Sequence, residues 1–332
     1  MAHRREFLEQ ALAFAALGTV GVTERIAAGD EAAAGRAAAG SQRRWRTAFG
    51  LNGFMSSEST FGGEYPLWEV LEFAQQEGFE GIELVEGWPK GMYPSCDQTS
   101  RIASLKGLFA RYNLKVFSIQ TAGAGAFQED KSLRDEWVKK FAQYASFARQ
   151  VGCECVGYWP GGSLGGQTVD AAIDNLILSL REAAKIVSDN ELLLSVEIEP
   201  PFEFNTIDQL IRIIDGVDHP LVKGQYDPSH FDLFNGGTGK PEELLEKFGV
   251  HRLGYIHFTD SDGTLFKGTS RHLPCGDGHI NIRKSLEILW KGGYEGWIMI
   301  DAWMTPDPYD ACRKGRLAIE TARREFTRTN LR

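Results

Sequence analysis

The chain has 332 residues, 42% of them hydrophobic, and a formal net charge of −9. That composition is globular rather than disordered or fibrous, and the length suits one large or two medium domains, α/β barrels often using about 250 residues as one. The acidic balance speaks against a nucleic-acid partner, which needs a basic stripe, and no apolar run reaches the roughly 18 residues of a membrane span.

The N-terminal segment is separate in composition. Arg4 and Arg5 are followed by Phe7 and Leu8, then by an apolar, Ala-rich run from Ala11 to Val22, and Ala/Gly-rich sequence continues to Gly40. The pattern resembles a twin-arginine export signal, although Glu9 and the Glu24–Arg25 pair depart from it. Residues 1–40 are therefore read as signal and linker. The protein is expected in the periplasm, crossing the membrane already folded, and otherwise in the cytoplasm.

After residue 44, short β-like runs alternate with helix-length segments. The runs cover 46–53, 81–87, 115–121, 153–159, 192–199, 222–227, 253–260 and 297–303. Between them lie amphipathic stretches such as "PLWEVLEFAQQEG" and "DEWVKKFAQYASFARQVG", several opening with Pro or Asp and closing with Gly or Asn, as helix caps do. Eight strands alternating with helices predict a parallel sheet covered by helices, and eight is the number that closes a (β/α)8 TIM barrel. No GxGxxG opens a helix after the first strand, so a dinucleotide fold has no local support. A single barrel domain is expected over residues 45–325.

The fifth run, "LLLSVEIE", shows the sidedness. Leu192, Leu194, Val196 and Ile198 share one face, suited to the helices; Leu193, Ser195, Glu197 and Glu199 share the other, pointing into the barrel. Cys153 and Cys155 are expected on one face of the fourth strand. A disulfide so tight would be strained, so the cysteines are read as buried thiols.

The ends of the last four strands carry chemistry. Strand five ends in Glu197 and Glu199, strand six in Asp227 with His230 beyond it, strand seven carries His257 and then Asp260, and strand eight carries Asp301. Glu197, Asp227 and His257 are each one βα unit apart. In a barrel they would converge with Asp301 at the C-terminal mouth, the active-site face of this architecture. Each alone has an ordinary structural explanation. Three carboxylates and one imidazole together would be costly to bury without a cation. The oxygen-rich set suits one divalent metal, Mn²⁺ foremost, with Mg²⁺, Co²⁺ or Zn²⁺ also compatible.

The segments "EIEPPFEF", "DPSH", "HFTD" and "GDGHIN" resemble the xylose isomerase-like superfamily of sugar isomerases and epimerases, including ketose 3-epimerases and inosose isomerases and dehydratases. The resemblance implies metal ligation by Glu197, Asp227, His257 and Asp301. It implies substrate contacts from His230 and Glu203, with Arg271 of the strand-seven loop as a further candidate. One departure is Asp301, where the epimerases carry a Glu.

Such a site supports proton abstraction beside a carbonyl through a metal-stabilised ene-diolate, with Glu197 as base, Asp301 as the opposed acid and His230 donating to a substrate oxygen. Proton return gives an epimerase or isomerase. Loss of a β-substituent gives a lyase or hydratase acting on a 3-keto-glycoside or inosose. Trp88, Trp159, Trp303 and Phe202 are placed near the mouth as stacking faces for a sugar. The glycine-rich "GYWPGG" and "TAGAGAF" hold no basic residue, which favours a free or glycosidic sugar over a phosphate. The partner expected is thus a small sugar, with no nucleic acid, no membrane after export, and a homo-oligomer compatible. An AP-endonuclease-like enzyme and a non-catalytic sugar-binding protein are the remaining alternatives.

Overall fold

The computed structural model describes residues 45–85 and 93–329. The proposed export segment and Trp88 lie outside the described residues. Eight strands close a parallel barrel: β1 (Trp45–Gly50), β2 (Gly81–Val85), β3 (Lys115–Ala122), β4 (Cys155–Trp159), β5 (Leu193–Val196), β6 (Val222–Tyr226), β7 (Leu253–Phe258) and β10 (Gly296–Ile300), with β10 pairing β1 to shut the ring. A two-stranded antiparallel hairpin, β8 (Leu265–Phe266) and β9 (Thr269–Ser270), rises from the segment after β7.

The covering helices are α1 (Leu51–Phe61), α2 (Leu67–Glu77), α3 (Thr99–Arg111), α4 (Lys131–Val151), α5 (Val169–Asp189), α6 (Ile207–Val217), α7 (Pro228–Gly237), α8 (Pro241–Phe248), α9 (Ile282–Lys291) and α10 (Pro308–Thr329). Their ends follow local chemistry. Thr206 and Gln209 form a reciprocal capping box on α6, and the Thr168 side chain caps α5. Gly78 and Gly152, both at positive φ, stop α2 and α4.

The core has two layers. Leu192, Leu194, Val196 and Ile198 lie in the large cluster between barrel and helices, as the alternation predicts. Leu193 faces inward, where Ala48, Phe117, Cys155, Tyr255, Trp297 and Met299 fill the lower barrel. The two neighbouring cysteines part here: Cys153 belongs to the outer cluster and Cys155 to the inner one. The strand begins only at Cys155, so Cys153 sits in the preceding turn and the two-residue alternation does not reach it. All five cysteines are free thiols.

The barrel's two ends differ. At the N-terminal end, the Glu154 carboxylate accepts from Arg46 Nη1 and Nη2 (2.8 and 2.6 Å), from Trp297 Nε1 (2.9 Å) and from Lys115 Nζ. At the other end the strands stop earlier than the apolar runs do. β5 pairs with β6 only as far as Val196, and β6 ends at Tyr226. Glu197, Asp227 and Asp301 therefore occupy the first positions beyond their strands.

Candidate metal centre

Glu197, His257 and Asp301 line a cavity of about 460 Å³ at the C-terminal mouth, and Asp227 lies beside Glu197 and His257; all four are buried. Each carboxylate has one oxygen tied down and one left bare. Glu197 Oε2 accepts from Gln120 Nε2 at 2.9 Å. Asp227 is the N-cap of α7, and its Oδ1 accepts from the Ser229 amide and hydroxyl, both at 2.7 Å. Asp301 Oδ1 accepts from Asn52 Nδ2 and the Trp303 amide, both at 3.0 Å. Glu197 Oε1 and Asp227 Oδ2 are buried with no hydrogen-bond partner.

The imidazole follows the same plan. His257 Nε2 donates to Glu83 Oε1 at 3.0 Å, a carboxylate on β2 that is itself buried. That leaves His257 Nδ1 facing Glu197 Oε1 at 2.8 Å and Asp301 Oδ2 at 3.3 Å, with no hydrogen bond satisfied at the ring nitrogen. A histidine whose far nitrogen is fixed by a carboxylate is the usual way of aiming the near one at a metal. The ligand atoms of Glu197, Asp227 and His257 lie within 4.8 Å of one another.

The electrostatics agree. Burial pushes the Asp301 carboxyl up, against the pull of His272 and His257. Burial acts on Asp227 in the same direction, yet His230 and His272 outweigh it and hold that carboxyl well below its usual range. Burial opposes charge on His257, but Glu197 and Glu83 raise it strongly; His272, opposed in the same way, is raised to about 9 chiefly by Asp227. Three buried carboxylates thus recruit protons onto nearby imidazoles. A divalent cation displaces such protons and supplies the same charge. The residues present fit a divalent cation.

Around this floor, His230 stands with Nδ1 2.6 Å from Ser270 Oγ and Nε2 3.7 Å from Glu197 Oε1. Trp159, Phe202 and Trp303 line the cavity, Trp159 and Phe202 edge to face at 5.0 Å. Glu199 also lines it, and burial raises its carboxyl.

Two expected substrate contacts do not line the cavity in this structure. Glu203 does not line the cavity: Phe202 packs on Trp159 and Phe204 on Phe127, which turns the residue between them aside. Glu199, nearer the strand end, stands there instead. Arg271 is exposed and pairs with Asp262 at 2.9 Å. Its neighbour His272 is the residue turned inward: Ser270, which ends β9, and His272 are buried, and Arg271 between them is exposed. Asp260 closes the loop, its carboxylate accepting from the backbone amides of Ser261, Gly276, Gly278 and Ile280.

Sequence reasoning also missed the supports. Glu83 sits alone as a charge in the apolar strand "GIELV", which was a legible signal. Asn52, Gln120 and His272 gave none: they come from β3 and from segments whose course is set only by the closed barrel.

A family model described as a xylose isomerase-like TIM barrel matches residues 71–324. An inosose dehydratase of Clostridium botulinum (strain Alaska E43 / Type E3) is 24% identical over 271 residues, spanning 73% of this chain and 85% of that protein. A probable endonuclease 4 of Listeria welshimeri is 30% identical over 139 residues, 40% of this chain and 46% of that protein. Among solved structures, the IOLI protein with a zinc atom superposes with a TM-score of 0.68 at 18% identity, covering 83% of this chain and 97% of its own. D-Psicose 3-epimerase from Clostridium cellulolyticum H10, with D-tagatose, gives 0.65 at 16% identity, covering 84% and 98%. The structural likenesses show the fold, and the family match extends over most of the sequence: this chain belongs to the xylose isomerase-like TIM barrel family.

Proposed function

We propose that this chain is a divalent-metal-dependent sugar isomerase or epimerase that enolises a keto sugar. The observation that carries the reading is the set of buried, unpartnered donor atoms Glu197 Oε1, Asp227 Oδ2 and His257 Nδ1, gathered within 4.8 Å of one another, with Asp301 Oδ2 3.3 Å from His257 Nδ1. A cation held there would supply Lewis acidity to the substrate carbonyl.

The chain's own residues do the rest. Glu197, steadied by Gln120, takes the proton from the carbon beside the carbonyl. Asp301 stands as the opposed carboxylate. His230 donates to a substrate oxygen. Trp159 and Trp303 offer apolar faces to the C–H edges of the sugar and exclude water. Return of the proton to the opposite face of the same carbon epimerises the substrate; return to the neighbouring carbon isomerises it.

A second reading is a lyase or dehydratase, in which a β-substituent leaves with the electron pair instead. It is favoured by Asp301, one methylene shorter than Glu and held at Oδ1 by two donors, which limits its reach to a substrate carbon. The curated relatives named inosose dehydratase point the same way. The net charge of −9 supports a small neutral sugar over nucleic acid as partner, and the Arg4–Arg5 signal supports export.

The test is incubation of plain and 3-keto sugars with the Mn²⁺-loaded protein in D₂O. Deuterium at the carbon beside the carbonyl, abolished by Glu197→Gln, is the expected result. No exchange into any ketose or keto-glycoside refutes the enolisation mechanism. Product analysis then separates epimer, isomer and eliminated product.

A further inference from the structure

We propose that His272 is a direct ligand of the cation, making the centre richer in nitrogen than the four strand-end residues suggest. The inference rests on the metal centre proposed above and concerns its composition.

His272 is buried and lines the cavity. Its Nδ1 lies 2.9 Å from the Ser270 carbonyl oxygen, which can only accept, so Nδ1 carries the hydrogen. Nε2 is therefore the nitrogen that faces Asp227 Oδ2 at 3.5 Å and Asp301 Oδ2 at 3.8 Å. The nearby Ser229 hydroxyl, 3.3 Å away, does not donate to Nε2, because its hydrogen goes to Asp227 Oδ1 over a shorter 2.7 Å. Two carboxylate oxygens facing a buried imidazole nitrogen need a positive charge among them, which a proton on Nε2 supplies without metal and a cation ligated by Nε2 supplies in its place.

The position of His272 explains why. Going round the floor, Glu197 Oε1 is 2.8 Å from His257 Nδ1, which is 3.3 Å from Asp301 Oδ2, which is 3.8 Å from His272 Nε2, which is 3.5 Å from Asp227 Oδ2. Oxygen and nitrogen alternate. Neighbouring ligands of a divalent ion bound at ~2.1 Å stand about 3 Å apart; the ligand atoms of Glu197, Asp227 and His257 lie within 4.8 Å of one another, as do those of Asp227, His230 and His272, so Asp227 is common to both sets and His272 would join the cation from its side. The short Asp301 leaves a gap toward Asp227, and His272 fills it. Five protein donors leave a sixth position for substrate, as a catalytic ion needs. His230, on the Glu197 side of Asp227, stays available to that substrate. Two imidazoles among five donors favour Zn²⁺ or Co²⁺ over Mg²⁺.

The test uses the full chain loaded with Zn²⁺ and with Co²⁺. X-ray absorption at the zinc edge counts imidazole ligands in the unaltered protein, so it does not depend on any variant folding. Chelator competition then gives affinities for the wild type, His272→Gln and His230→Gln. Two imidazoles in the wild type and one in His272→Gln, with Zn²⁺ held about 100-fold more weakly by His272→Gln and within about threefold by His230→Gln, are expected. Bound zinc with a single imidazole, and an affinity untouched by His272→Gln, overturns the role of His272 and leaves the metal centre standing. Failure to bind any divalent cation overturns both.

Discussion

Glu154→Gln tests whether the closed N-terminal end of the barrel serves stability while the opposite end serves chemistry. Burial pushes the Glu154 carboxyl up, but hydrogen bonds from Arg46, Lys115 and Trp297 override it and bring it from 4.5 to about 2. A depression of that size corresponds to about 3 kcal/mol at ~1.36 kcal/mol per pH unit. The side chain is 32% exposed and its cationic partners are 37% and 44% exposed, so solvent screening brings the net value to about 1–2 kcal/mol. The sign follows from the depressed value. The stabilisation is complete above the unfolded Glu value and is lost as the pH falls from 4.5 toward about 2. Glu154→Gln, which cannot ionise, should melt a few degrees below the wild type at pH 7. That gap should fall to under about half by pH 3. Thermal melts of metal-free protein at pH 7, 5 and 3 measure it. Equal stability at pH 7, or a gap as wide at pH 3 as at pH 7, refutes the reasoning. Metal affinity should not change, since Glu154 touches nothing in the centre.

Other perturbations probe the upper end. Glu83→Leu removes the acceptor of the His257 Nε2 hydrogen and should weaken divalent-metal affinity by about 10–100-fold in chelator competition; an unchanged affinity would show that the ring is oriented without it. Gly157→Ala places a Cβ 1.6 Å from Gln120 Oε1 and 2.1 Å from the Tyr255 hydroxyl, breaking the bond that seats Gln120 against Glu197. Denaturant unfolding should register a loss of about 1–3 kcal/mol, and wild-type stability would count against the packing argument. Arg271→Ala should leave kcat and KM within about twofold, because the side chain is exposed; a KM raised tenfold would return it to the site. Stripping the cation with a chelator should lower the melting temperature, by the equivalent of about 2.7 kcal/mol where free metal stood at 100 times its Kd.

The sequence by itself determined the barrel and the placing of Glu197, Asp227 and His257 side by side at its mouth. Both follow from periodicity: alternating apolar positions in "LLLSVEIE" put Glu197 inside, and one βα unit of spacing puts Asp227 and His257 beside it. Local rules also decided the helix caps, down to the Asp227 that both starts α7 and faces the centre. What only the tertiary structure decided is which oxygen of Glu197 and Asp301, and which nitrogen of His257, is free. Gln120 from β3, Asn52 after β1 and Glu83 from β2 make that choice, over sequence separations of 77, 249 and 174 residues. No local pattern encodes such contacts, because they exist only once β10 pairs with β1 and closes the ring. The hairpin after β7 is the sharpest case. One residue of register there turns Arg271 out and His272 in, and an irregular loop carries no period from which to read that register.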